Sequence, residues 1–153
     1  MSDWGAIERI PAVVTMAEGV ALEGELHVQA RVPYREGAET PLELLNRAEE
    51  FFALSSPERG VVFLSKDQVA VVACAPPFDA ADPDRVSAAR RIGFAVTLAG
   101  GTEYSGWATP ELPPTRARTL DYLNTAERFF SIQSDDATRY VNRALVRLVR
   151  PLD

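Results

Sequence analysis

The chain carries nearly the same ten-residue phrase twice, and this repetition limits what it can fold into. Residues 45–54 read LNRAEEFFAL, and residues 123–132 read LNTAERFFSI. A preceding block, RIPAVVTMAEGVALEG at 9–24, returns as RIGFAVTLAGGTEYSG at 91–106. The blocks keep their order, with small shifts of the kind that loop insertions produce. Self-similarity of this kind predicts an internal duplication in which both copies fold alike.

Each copy has the same predicted layout. A strand rich in Val and Thr, at 10–17 in the first copy, leads through a turn at Gly19 or Gly101 into a second strand, because glycine adopts positive φ without strain. The repeated phrase then predicts a short helix. A closing strand pair, about 52–55 with 61–73, completes the unit. The predicted order is β-β-α-β-β.

The helix prediction combines apolar spacing with a start signal. Thr40 is placed as N-cap, Pro41 as the first helical residue, and Glu43 completes a capping box. At about 100° per residue, one face of the helix is apolar. The side chains on that face are Leu44, Leu45, Ala48, Phe51 and Phe52.

These elements predict an α+β protein that is mainly antiparallel β. The first repeat spans 1–75, a linker spans 76–90, and the second repeat spans 91–153. A copy of this size is only marginally stable alone, because a short chain buries too little apolar surface. We therefore expect two homologous β-β-α-β-β repeats packed as one pseudo-twofold body.

The repeated pattern resembles a known family. The motifs V-T-x-A-x-G-x-x-x-x-G, an LN-bearing helix, FF-x-L and a closing SKDQVAVV at 65–72 are similar to those of an uncharacterised family of small bacterial proteins, whereas NRALVRLV at 142–149 departs from that ending. The resemblance implies a hairpin, a helix and closing strands, and no activity. The strand GVALEGEL also resembles the second strand of Sm-like and other small β-barrels, although the helix here lies between strands.

Composition excludes several classes of protein. Cys74 is the single cysteine and His27 the single histidine, so neither an intramolecular disulfide nor a cysteine-rich zinc site is expected. There is no apolar run of about 18 residues to span a bilayer, and the N-terminus lacks the pattern of a signal peptide. We predict a cytoplasmic bacterial protein without cofactor or metal. No nucleophile–base pair or phosphate-binding loop indicates an enzyme.

Polar residues that both copies keep are the first candidates for a site. They are Asn46 and Glu49 in the first copy, and Asn124 and Glu127 in the second. They lie at the edge of the apolar helix face. Two interpretations stay open: a symmetric pair of sites for a cation or small ligand, or capping of nearby backbone groups, which half-buried polar side chains require.

Arginines near the C-terminus are the second group of candidates. The net charge is −6, and the excess acid lies in the first half, whereas the C-terminal segment is basic. If Arg139, Arg143 and Arg147 share one strand face, they are suited to phosphates or carboxylates, or they guard a sheet edge. Arg116 and Arg118, just before the second helix, would join such a face. Trp107 is a candidate contact residue, since Trp is enriched in interface hot spots.

The function predicted by elimination is a non-catalytic adaptor or assembly component that binds a protein partner. Duplication produces two related surfaces, and their unequal charge suits bridging or head-to-tail association. Homo-oligomerisation is left open. The alternative is a small-barrel binder of nucleic acid or anionic ligands through the arginine face, although the net acidity disfavours nucleic acid. A metal or small-molecule sensor using Glu49 and Glu127 comes third.

Overall fold

The computed structural model describes residues 6–76, 91–109 and 119–152, so the predicted linker at 76–90 lies, apart from residue 76, outside the described residues. Ten strands occupy the described ranges: β1 Ile7–Met16, β2 Ala21–Gln29, β3 Phe51–Ser56, β4 Gly60–Ser65, β5 Val69–Cys74, β6 Ile92–Leu98, β7 Glu103–Ala108, β8 Phe129–Gln133, β9 Thr138–Asn142 and β10 Val146–Leu152. Two short helices accompany them, α1 Pro41–Asn46 and α2 Thr119–Thr125, with 3-10 turns at Lys66–Gln68 and Arg143–Leu145.

The ten strands form a single antiparallel sheet. Their order is β10-β6-β7-β8-β9-β5-β1-β2-β3-β4, so the first five strands and the last five follow the same order within their own half. A twofold axis that exchanged the halves would map the contact between β5 and β9 onto a second contact between β10 and β4. Those two strands are the ends of the sheet instead. The halves therefore follow one another along the sheet, and corresponding strands, five places apart in an antiparallel order, run in opposite directions. The pseudo-twofold packing of the halves stays a prediction.

Corresponding residues occupy corresponding places in the two halves. Gly24 lies opposite Ala12 in the β1–β2 pair, and Gly106 lies opposite Phe94 in the β6–β7 pair. The Ala17 N–H donates to the Gln68 carbonyl at 2.7 Å, and the corresponding Ala99 N–H donates to the Leu145 carbonyl at 3.0 Å. The aligned sequence blocks thus adopt the same registers.

The predicted closing strand at 61–73 is two strands rather than one. The polar residues at Lys66–Gln68 interrupt the apolar pattern and form a 3-10 turn. This turn carries the chain from β4 across the sheet to pair with β1. Each half therefore reads β-β-α-β-β-β, and the predicted β-β-α-β-β order is wrong by one strand.

The helix start is confirmed, but its extent is not. Thr40 and Glu43 form the predicted capping box, with Pro41 at the beginning of the helix. The helix then ends at Asn46, and Phe51 and Phe52 lie in β3. Because successive strand residues point to opposite faces, Phe52 is buried while Phe51 is exposed, so the prediction of a shared apolar helix face is wrong for this pair.

A basic side chain from the 3-10 turn stabilises each helix end. The Lys66 ammonium, which is 1% exposed, donates to the Arg47 carbonyl at 2.9 Å, and the Arg143 guanidinium donates to the Ala126 carbonyl at 2.7 Å. Cations at a helix C-terminus satisfy carbonyls that lack an intrahelical partner. Burial lowers the pKa of Lys66.

Two apolar cores lie on either side of β5. Val72 and Cys74 belong to the core cluster of the first half, whereas Ala70 and Val71 belong to that of the second half. A strand buried on both faces needs a nearly continuous apolar run. The sequence VAVVAC at 69–74 meets that requirement.

Gly24 and Gly106 allow close approach between neighbouring strands. A Cβ atom on Gly24 would overlap the backbone carbonyl oxygen of Ser55, and one on Gly106 would overlap that of Gln133. Neither glycine has positive φ, so space, rather than backbone conformation, requires glycine at both positions.

Substitution at these glycines is therefore expected to be costly. Gly24→Ala and Gly106→Ala should each lower the free energy of unfolding by about 2–3 kcal/mol, because the strands must move apart. Gly100→Ala is the matched control, since nothing lies within 4 Å of its added Cβ. Urea denaturation monitored by circular dichroism measures the difference. Equal stability of the three variants would contradict the packing argument.

Candidate protein-binding surface

Pairing between β5 and β9 joins the two halves. Val72 lies opposite Tyr140, and Cys74 lies opposite Thr138 in this antiparallel ladder. The backbone hydrogen bonds make the sheet continuous across the chain. The side chains around this contact show which residues hold the two halves together.

A helix of the first half binds the backbone of the second. The Asn46 side-chain amide donates to the Phe129 carbonyl at 3.1 Å, and its carbonyl oxygen accepts from the Phe129 N–H at 2.8 Å. A primary amide matches a peptide group in this way because it offers one donor and one acceptor side by side. Asn46 thus fixes the position of β8 against α1.

A second asparagine reinforces the contact from the opposite side. Asn142 is 1% exposed and donates to the carbonyls of Lys66, at 3.1 Å, and Val69, at 2.9 Å. Its side-chain oxygen accepts from the Ala144 N–H at 3.0 Å. A buried amide with its donors and acceptor used is stabilising, whereas loss of a partner would leave an unsatisfied group.

Charged residues surround the contact at the surface. Arg128 pairs with Glu50, at 3.1 Å, and with Asp67. Both carboxylates are largely exposed, so these pairs add little stability and mainly orient the halves.

Aromatic side chains of the second half pack against the core of the first. Phe129 is 1% exposed and belongs to the first core, and Tyr140 packs against the same core. The halves therefore share apolar surface as well as backbone hydrogen bonds.

The outer face of the β3–β4 pair is a different case, because its apolar side chains are uncovered. Phe51, Val61 and Phe63 are 59%, 53% and 73% exposed. They share a face, since Ala53 lies opposite Phe63 and Ser55 opposite Val61. We call these three residues the aromatic edge. β4 is also the end of the sheet, so one side of its backbone lacks a strand partner among the described residues.

Sequence reasoning missed the aromatic edge because it placed Phe51 on a helix face. The signal that could have found it is the alternation in FFAL, where Phe52 and Leu54 are buried and Phe51 is not. A doublet of phenylalanines fits either a helical or a strand period when taken alone.

The predicted arginine face is not formed. Arg139 lies in β9, Arg143 in the 3-10 turn and Arg147 in β10, so no single strand carries all three. The turn that sequence reasoning missed is the reason. Arg139 contacts the ring of Tyr104 at 5.0 Å from its centroid and pairs with Asp136 at 3.8 Å. Arg147 is exposed.

The remaining candidate contact residues are Arg116, Arg118 and Trp107. Arg116 and Arg118 lie outside the described residues. Trp107 is half-buried in β7, and the Arg91 guanidinium lies over its ring, 4.9 Å from the centroid. This cation–π contact occupies one face of the indole.

The repeated polar residues are not brought into equivalent environments. Asn46 binds the Phe129 backbone, whereas Asn124 is exposed. Glu49 is exposed and lies 3.7 Å from Arg47, and Glu127 is exposed as well. In the described part of the chain, no group of three or more His, Cys, Asp or Glu side chains is arranged to hold a metal ion.

A buried ion pair beside α1 was not predicted. Glu39 is 1% exposed, and its Oε2 lies 2.8 Å from Nε of Arg47, although the N–H does not point at that oxygen, so the contact is an ion pair rather than a hydrogen bond. The other oxygen of Glu39 accepts from the Gln29 N–H at 3.1 Å. The pair joins the β2–α1 loop to the helix.

The single histidine and cysteine have structural environments. His27 Nε2 lies 2.6 Å from the Ser55 hydroxyl across the β2–β3 pair. Cys74 is buried, which raises the pKa of its thiol to about 11 and disfavours the reactive thiolate.

Comparison of the chain with protein-family models, with curated proteins and with solved structures finds no match. Among the described residues, no helix is long and apolar enough to cross a membrane.

The contact between the halves predicts unequal roles for the two repeated asparagines. Asn46→Ala should lower the free energy of unfolding by about 2 kcal/mol, because two backbone groups of Phe129 lose their partners. Asn124→Ala should change it by less than about 0.5 kcal/mol, as is usual for an exposed position. Denaturation at low protein concentration compares the two. Equal losses would show that Asn46 does not hold the halves together.

Proposed function

We propose that this chain is a non-catalytic assembly component that binds a protein partner at the aromatic edge. The observation that carries the proposal is the exposure of Phe51, Val61 and Phe63 on one face of the terminal strand pair. Exposed apolar clusters mark interaction sites, because burying them in a partner releases water. The outer edge of β4, which has no strand partner among the described residues, allows the partner to add a strand through backbone hydrogen bonds.

The surroundings of the aromatic edge indicate the chemistry of the partner. The side chains of Glu49 and Glu50, just before β3, are 63% and 60% exposed. Complementary charge favours a partner strand flanked by basic residues. The partner segment is therefore an extended strand with apolar side chains at alternate positions and nearby Arg or Lys.

The proposal also includes the internal duplication and a cytoplasmic location. The matching strand orders, the registers at Gly24 and Gly106 and the repeated sequence blocks support the duplication. The anion-binding alternative has lost the shared arginine face on which it depended. No observation favours it over protein binding.

Affinity capture of the tagged chain from native lysate, with quantitative mass spectrometry, tests this function. We expect Phe51→Asp/Phe63→Asp to lose the captured protein by at least about tenfold, since hot-spot aromatics dominate binding. The matched control is Val20→Asp, an exposed apolar residue in the β1–β2 turn. Arg143→Glu/Arg147→Glu tests the alternative.

Retention of the same proteins by the Phe51/Phe63 variant would contradict the proposal. Capture of nucleic acid alone, released by high salt and lost in the arginine variant, would favour the alternative instead. Circular dichroism melts of all variants establish that they stay folded.

A further inference from the structure

The two ends of the sheet correspond to two strands that are already paired inside the chain. β4 occupies the same place in the first half as β9 in the second, and β10 corresponds to β5 in the same way. β9 pairs with β5 inside the chain. The end strands β4 and β10 are the counterparts of these two strands, so each end of the sheet carries one partner of the same kind of contact. A second copy would therefore extend the sheet if its end strand paired as β9 pairs with β5.

The aromatic edge consists of the counterparts of residues that are covered at the internal contact. Phe51 is 59% exposed, whereas its counterpart Phe129 is 1% exposed. Val61 is 53% exposed, whereas its counterpart Thr138 is 3% exposed. Phe63, 73% exposed, corresponds to Tyr140, which packs against the first core.

The opposite end of the sheet shows the same relation. Leu148 in β10 is 50% exposed, whereas its counterpart Val71 is 2% exposed. Leu120 in α2 is 64% exposed, whereas its counterpart Leu42 packs against the first core. Asn124 is exposed, although its counterpart Asn46 holds the Phe129 backbone. We call Leu120, Asn124 and Leu148 the β10 edge.

We propose that the partner strand at the aromatic edge is β10 of a second copy of this chain, an inference that rests on the proposed function. The copies associate head to tail, with β10 of one antiparallel to β4 of the next. The internal ladder sets the register. Val149 then lies opposite Phe63 of the next copy, as Val72 lies opposite Tyr140 within the chain. Asn124 binds the Phe51 backbone, as Asn46 binds that of Phe129.

The residues at this register are compatible with the contact. Pro151 falls opposite Val61, near the end of the ladder, so its missing N–H removes at most one hydrogen bond. Arg147 in β10, which is exposed, would approach the acidic first half of the next copy and add charge complementarity, whereas Arg150 already pairs with Glu103 at 3.5 Å. A heterologous contact of this kind builds a closed ring or an open filament.

Variants that block one edge at a time test the proposal. Phe63→Asp blocks the aromatic edge, and Leu148→Asp blocks the β10 edge. By light scattering after size exclusion, we expect the unmodified chain to exceed its monomer mass of 16.8 kDa with rising concentration. Each variant alone should be monomeric, with association weakened at least about tenfold.

Mixing the two variants provides the decisive observation. Each keeps one open edge, so the mixture should form a one-to-one dimer and nothing larger. Val20→Asp should associate like the unmodified chain. A mixture that stays monomeric, or association that Leu148→Asp leaves unchanged, would overturn head-to-tail pairing.

A cysteine pair tests the register independently of the apolar contacts. Val61→Cys/Pro151→Cys places thiols at the position of the Cys74–Thr138 pair, where antiparallel neighbours lie within disulfide range. Oxidation should produce disulfide-linked multimers on a non-reducing gel, and each single variant should produce dimers at most. A disulfide within one chain, or none, would contradict the proposal.

The failure of this inference differs from the failure of the proposed function. A monomeric chain whose aromatic edge still captures another protein would reject the second copy and keep protein binding. A monomeric chain whose captured proteins are insensitive to Phe51→Asp/Phe63→Asp would reject both.

Discussion

The pairing of β5 with β9 is the contact on which the rest of the structure depends. β5 is buried on both faces because one half packs on each side of it, and VAVVAC at 69–74 has almost no polar atoms to place there. A half of about 65 residues would be only marginally stable alone, because a short chain buries little apolar surface. The two halves are therefore held together by the β5–β9 pairing and by the hydrogen bonds of Asn46 and Asn142.

The same contact explains why two similar halves have different surfaces. Phe129 is covered by the first half, whereas its counterpart Phe51 is exposed. In β10, Arg147 and Arg150 occupy the places that Ala70 and Ala73 hold in β5. Charged residues are typical of strands at a sheet edge, where they limit unspecific pairing. The differences between the two halves thus match the different positions of their strands, in the interior of the sheet or at its ends.

Local features of the fold could be predicted from the sequence, and long-range ones could not. The capping box at Thr40 and the turns at Gly19 and Gly101 depend on neighbouring residues, and the structure has them. The end of α1 could not be predicted, because Lys66 caps it from a distant turn. Nor could the aromatic edge, since whether Phe51 is covered depends on which strand lies beside β4.

Hydrogen–deuterium exchange, resolved by peptide at low protein concentration, tests the central role of the β5–β9 contact most directly. If β5 joins the halves, its amides at 69–74 exchange only through global unfolding, whereas those of β10 exchange much faster although the two strands occupy equivalent places. Exchange in β5 as fast as in β10 would mean that the halves separate readily, and it would contradict the single continuous sheet.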